Sequence, residues 1–193
     1  MGIQVQKSLQ HWNYFLALET DIEHLSRYVE FTEDNFNTYS LEIAHIYLAC
    51  CSEVDVVAKL LCQQIDHESQ AGNIGEYREI IKASFPEIPQ SLITIPRFGM
   101  ELNPWQNWQE DKSPIWWQNH NNVKHQRNEF FHQANLHNVL NSMAGLFLLV
   151  LVYYRGVIEG RRIEPPPSLF TPPPGLASVM PSIGGRMALF YAE

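Results

Sequence analysis

The chain has 193 residues, 45 % of them hydrophobic, and a formal net charge of −8. That length and apolar content suffice for one core and require no second domain. So acidic a balance excludes a general nucleic-acid coat protein, and the longest apolar run, residues 143–154, falls short of the roughly 20 residues that cross a bilayer as a helix.

The opening segment, Met-Gly-Ile-Gln-Val-Gln-Lys, has no charged stretch followed by an apolar block and cleavage site. The expectation is a cytoplasmic protein with no membrane partner. Trp12, Phe15, Leu16, Ile22, Leu25, Tyr28 and Val29 recur at three- and four-residue steps and predict a first helix over about 5–29. Thr32-Glu-Asp-Asn supplies turn and capping residues before a second, largely buried helix over about 37–65. Within it Cys50, Cys51 and Cys62 act as small hydrophobes, odd in number and wrongly spaced for zinc. Glu53, Asp55 and Lys59 interrupt the apolar pattern. Asp55 and Lys59 read as an exposed ion pair, and a buried Glu53 reaching a basic cleft is the alternative for that residue.

A third, shorter helix fits 75–85, stopped by Pro86 and Pro89. Residues 87–113 carry four prolines nearby, Trp105 and Trp108, and no sustained period; they read as an ordered loop, or lid, held by aromatic burial. Ser113-Pro114 then serves as cap and first residue of a fourth helix carrying Ile115, Trp116, Trp117 and Val123 and ending close to Arg127. Trp116 and Trp117 read as core and interface aromatics, with stacking on a base as the alternative, and Asn119, Asn121 and Asn122 as solvent-facing. A last long helix begins near Gln133 and runs to Gly156 or Gly160, apolar all round over 146–152. The prolines at 165–167 and 172–174, with Gly175, Gly184 and Gly185, predict an irregular tail with neither helix nor sheet. The whole is an all-α bundle of four or five helices at 1–163, with a Pro-rich irregular tail or dimer arm at 164–193.

Charge is unevenly spread. Residues 1–100 hold 6 Lys+Arg against 14 Asp+Glu, whereas 101–193 hold 7 of each; within 113–163, Lys124, Arg127, Arg155, Arg161 and Arg162 outnumber Glu129 and Glu159. An RNA or nucleotide is therefore expected at one focused site in that region. Its centre is Arg127-Asn-Glu-Phe-Phe-His132, preceded by Lys124-His125-Gln126. A guanidinium always charged at neutral pH and an imidazole that trades protons there are what metal-free phosphodiester cleavage asks of a protein. Five positions apart on one straight helix, the two would diverge by about 140°. A helix end near Arg127 and a new start near His132 would turn both into one cleft.

This Arg, followed by a polar residue and then by a His after four intervening positions, between two late helices, resembles the motif of the HEPN (higher eukaryotes and prokaryotes nucleotide-binding) superfamily. The phrase Trp-Trp-Gln-Asn-His-Asn-Asn-Val-Lys-His-Gln-Arg is also similar to a group of uncharacterised bacterial proteins of this type. The resemblance spans about residues 5–163. It implies a helical bundle, commonly a homodimer, and a metal-independent ribonuclease of toxin–antitoxin, CRISPR or phage-defence systems, with motifs of two subunits facing across a cleft. Carried over by position, it makes Arg127 the phosphate ligand, Asn128 the polar residue that orients the site, and His132 the general acid or base, with no cofactor. RNA and a second copy are the implied partners, with an antitoxin protein in a toxin setting. Lys124 and His125 lie within one turn of Arg127 as further phosphate contacts, outside the family motif. His120, His125, His132 and His137 invite a metal reading, but spacings of five, seven and five share no helical face. Two other classes stay open: a non-catalytic helical module binding a nucleotide or protein, and a structural subunit whose apolar last helix pairs with another chain.

Overall fold

A computed structural model describes residues 8–158, 162–182 and 185–192. Five α-helices follow in order: α1 Gln10–Leu25, α2 Leu41–Ile65, α3 Ile74–Ser84, α4 Ile115–Phe130 and α5 Leu136–Arg155. The helices overlap the predicted segments, although α1 stops at Leu25 instead of 29, α2 starts at Leu41 instead of 37 and α4 has no side-chain cap from Ser113; three starts are capped, Ser40 accepting from the Ile43 amide, Asn73 from Gly75 and Glu76, and Asn135 from Asn138. The first three predicted positions of helix one, residues 5–7, lie outside the described residues, as do Gly160 and Gly184.

The all-α assignment is wrong. Of the described residues 58 % are helical and 12 % strand, with two small antiparallel sheets. The first is a hairpin, β1 Ile93–Ile95 against β2 Met100–Leu102, inside the segment expected to be an aperiodic loop. Its turn is closed by Pro96–Phe98 and by Gly99 at φ 61°, a left-handed position that favours glycine. The second sheet is built by the segment expected to be an irregular tail. Strands β3 Arg162–Ile163, β4 Ala177–Pro181 and β5 Met187–Tyr191 assemble in the order β3-β5-β4. Proline clusters fill the approach to β4 and leave 187–191 clear of breakers, so β5 takes the centre. Pro181 closes β4, an edge strand where a missing N–H costs no ladder bond.

Helices α2 and α5 run against each other as the central pair, with α1, α3 and α4 packed around them. Among the described residues one helix, α5, is long and apolar enough to cross a bilayer, and 89 % of its apolar window is buried inside this fold. Phe15 stacks on Phe147 at 4.8 Å between ring centres, flanked by Trp12 and Phe170. A second aromatic group, Trp105, Trp108 and Trp116, closes over Gly145, and the Trp105 and Trp116 indoles donate to the carbonyls of Gly145 and Pro104. The loop between α3 and α4 is thus held by tryptophan burial as its composition predicts.

The C-terminal strands are tied into the helical body by polar contacts made under cover. Glu19, 2 % exposed on α1, accepts backbone N–H groups of Ser168, Leu169 and Phe170 at 2.9, 2.9 and 3.0 Å. The Trp12 indole donates to the Pro165 carbonyl and the Tyr191 hydroxyl to that of Leu151. Thr171 pairs with Thr94 of the hairpin.

Candidate phosphate groove and the adjoining cavity

Helix α4 is not regular to its end. Gln126 leaves helical geometry at φ −140°, ψ 51°, immediately before Arg127, and a single further turn carries the chain to Phe130. A 3₁₀ turn, Phe131–Gln133, follows, and Asn135 starts α5. The helix therefore breaks one residue before Arg127, close to the expected end, and His132 falls in the connection. No straight helix joins the two motif residues.

This connection is braced on two sides. The chain before α2 pairs with it: Leu136 and His137 donate to the carbonyls of Thr38 and Phe36, Tyr39 bridges Asn135, and the Tyr39 ring meets Phe131 edge-on at 5.4 Å. From α4, the Asn122 amide donates to the Gln133 side-chain oxygen at 3.0 Å, while Asn138 of α5 donates to the Gln133 carbonyl at 2.8 Å. The amides at 122, 133 and 138 thus fix where His132 leaves the surface. Asn122 is half-buried and bonded rather than solvent-facing, a role that the asparagine-rich stretch did not reveal in sequence.

A groove of about 730 Å³ opens where the first turns of α2 approach the end of α4. Leu41, Leu48, Val123 and Phe131 give it an apolar floor, and Lys124, His125, Arg127 and Asn128 its polar rim. Four of the five predicted site residues are therefore together. His132 is exposed beside them but does not line this groove. Lys59, Arg78, Lys82, Arg97, Lys112 and Arg162 are each paired with a carboxylate, whereas Lys124 and Arg127, like Arg27, Arg155 and Arg186 elsewhere, have no acidic partner among the described residues. The basic surplus read from 113–163 is less focused than expected. Arg155 lines a different cavity, Arg162 pairs with Glu164, and Arg161 and Glu159 lie outside the described residues.

A second cavity, about 630 Å³, adjoins the groove and shares Leu48 and Lys124 with it. Trp117, His120 and Asn121 of α4 and Cys51, Ser52 and Asp55 of α2 line it, with Asn73 at the start of α3. His120 is 5 % exposed, and its Nδ1 is buried without a hydrogen-bond partner. Burial first, then the charges of Lys124 and His125, push this imidazole down to about 4, against the weaker opposing pull of Asp55. His120 is neutral at pH 7. Asp55 is paired with Lys59 at 2.7 Å, as its spacing predicts, and accepts from the Tyr77 hydroxyl at 2.9 Å.

Glu53 does not reach the basic groove. It meets His11 Nδ1 at 2.6 Å on the far side of α2, under the rings of Tyr153 and Tyr154. Trp116 and Trp117 are buried, as expected of core aromatics. Cys50, Cys51 and Cys62 are free and buried; burial raises all three thiols, Cys50 to about 12 and Cys62 to about 11, so none is a ready nucleophile. Among the described residues no three His, Cys, Asp or Glu side chains converge as metal ligands. Compared with protein-family models, curated proteins and solved structures, the chain matches none.

Proposed function

We propose that this chain is a metal-independent endoribonuclease of HEPN type. The observation that carries the reading is a solvent-open groove rimmed by Lys124, His125, Arg127 and Asn128, in which Lys124 and Arg127 lack a carboxylate partner among the described residues. A side-chain cation left unpaired beside an apolar floor attracts an anion of matching reach, and an RNA phosphate fits the planar fork of Arg127. The cleavage step is attack of the ribose 2′-oxygen on the adjacent phosphorus as the bond to the 5′-oxygen of the next nucleotide breaks. The proton leaves the 2′-hydroxyl and one is returned to the departing 5′-oxygen, giving a 2′,3′-cyclic phosphate and a 5′-hydroxyl. Arg127 stabilises the charge that grows on the phosphoryl oxygens, Asn128 orients the site, and His132 moves the proton.

His132 stands outside the groove of its own chain, and this favours a site completed by a second copy. In this proposal two protomers would meet about this edge, the His132 of each serving the phosphate gripped by the other, as the family resemblance implies. A protein antitoxin would act by covering the same edge.

The position of His132 also favours one rival, a groove that binds a nucleotide without cleaving it. Single-stranded and structured RNA incubated in EDTA with the wild type, Arg127→Ala and His132→Ala separates the two. The proposal expects cleavage by the wild type and its loss in both variants. Binding without cleavage in the wild type supports the rival, and cleavage that persists in both variants overturns the assignment of residues.

A further inference from the structure

We infer that the 630 Å³ cavity between α2, α4 and the start of α3 is a nucleobase subsite, taking the base whose phosphate lies in the neighbouring groove. The inference rests on the phosphate reading above, because the cavity and the groove share Leu48 and Lys124 as lining residues. A nucleotide needs this juxtaposition: an anion site, and within one sugar's reach a pocket with an aromatic wall and mixed donors and acceptors.

The cavity supplies both. Trp117 and Leu48 give an apolar wall, and the Trp117 and His120 rings sit 5.3 Å apart. Asn73 and Asn121 bring amides that donate and accept, and Ser52 a hydroxyl. Both Asp55 oxygens already accept one hydrogen bond, from Tyr77 and Lys59, yet each keeps a second lone-pair direction for a ring N–H or exocyclic amine. The space far exceeds what an ion needs.

His120 is the second, independent observation. A polar side chain 5 % exposed almost always finds a partner, and its Nδ1 has none. Its neighbours are Tyr47, which donates to the Trp116 carbonyl, and Trp117, neither of which offers that nitrogen an acceptor or donor. As a neutral imidazole it can accept or donate according to tautomer, so it completes a base edge without adding charge. The cleavage chemistry does not use it, and packing against Tyr47 and Trp117 leaves its Nδ1 without a partner.

The test is calorimetric binding in EDTA of the four nucleoside 5′-monophosphates, ribose 5-phosphate and inorganic phosphate to the intact protein, His120→Asn and Ser52→Trp. Ser52 is exposed at the rim, so its indole plugs the cavity without touching the core, and it carries the test where His120→Asn does not fold. The expected result is at least one monophosphate bound about tenfold more tightly than ribose 5-phosphate, the scale of one base–aromatic contact. Both variants then reduce that ratio to about one and leave ribose 5-phosphate binding unchanged. Equal affinity of all monophosphates and ribose 5-phosphate overturns the base subsite and leaves the phosphate groove standing. A preference that survives Ser52→Trp likewise overturns it, and absence of binding by every ligand overturns both.

Discussion

Acidification should weaken this fold through one identifiable residue. His120 has its pKa pushed down to about 4 from an ordinary value of 6.5 by burial and by Lys124 and His125. Between these values the unfolded chain binds a proton that the folded chain refuses. The resulting contribution is therefore fully present above pH 6.5 and is lost as the pH falls from there toward 4. Evaluated from pH 7 to pH 5, the linkage amounts to about 2 kcal/mol. The share due to Lys124 and His125, both exposed, shrinks with added salt. The groups facing the ring are Tyr47, Cys51 and Asp55 from α2 and Lys124 and His125 from its own helix; of these only Asp55 favours the charged form. Urea denaturation of wild type and His120→Asn at pH 7, 6 and 5 isolates the term, since all other titrating groups are common to both. The wild type should lose about 2 kcal/mol more than the variant over this range. Parallel losses would show that His120 titrates normally in the native state and would refute the reasoning.

Three further outcomes follow from the packing. Glu19→Ala strands the buried amides of Leu169 and Phe170 and frees the part-buried amide of Ser168, and should cost about 2–4 kcal/mol in urea denaturation, with a loss below about 1 kcal/mol contradicting the anchor. Gly145→Ala sets a methyl 3.1 Å from Trp116 and 3.4 Å from Trp105, and should cost about 1–3 kcal/mol by overpacking; an unchanged denaturation midpoint would mean that the tryptophan cluster yields freely. Asn122→Ala removes the brace on Gln133, costing about 1 kcal/mol of stability, and should lower kcat for RNA cleavage while leaving KM unmoved. A raised KM at constant kcat would place Asn122 in binding rather than in positioning His132.

The helices were legible because burial imposes a period; the caps that fix three of their starts, Ser40, Asn73 and Asn135, were not, since Thr32 and Ser113 carry the same local signal and cap nothing by a side-chain bond. Nor were the strands. Strands β1 and β2 are three residues each, too short for an alternation to emerge, and the hairpin turn at Pro96–Gly99 looks like any proline-broken loop. In the C-terminal segment the six clustered prolines dominate the composition, yet they precede β4 instead of interrupting β5, and the pairing that makes a sheet is long-range. At the site, the unpaired cations could be foreseen from local charge, and the break before Arg127 from the geometry two motif residues demand. Nothing in the pattern distinguished Asn122 from its neighbours, or His120 from an ordinary core histidine, because both roles depend on elements far away in sequence: Gln133 for one, the cavity wall of α2 for the other.

The reading of the groove stands or falls with the chemistry at the scissile bond. A synthetic RNA with one preferred cleavage site, and its counterpart carrying a single 2′-deoxyribose on the 5′ side of that bond, should be digested in EDTA and the products weighed by mass spectrometry. The account predicts a 2′,3′-cyclic phosphate end from the first and an intact second strand at that position. Cleavage of the deoxy-substituted strand at the same bond, or a 5′-phosphate product, would contradict it.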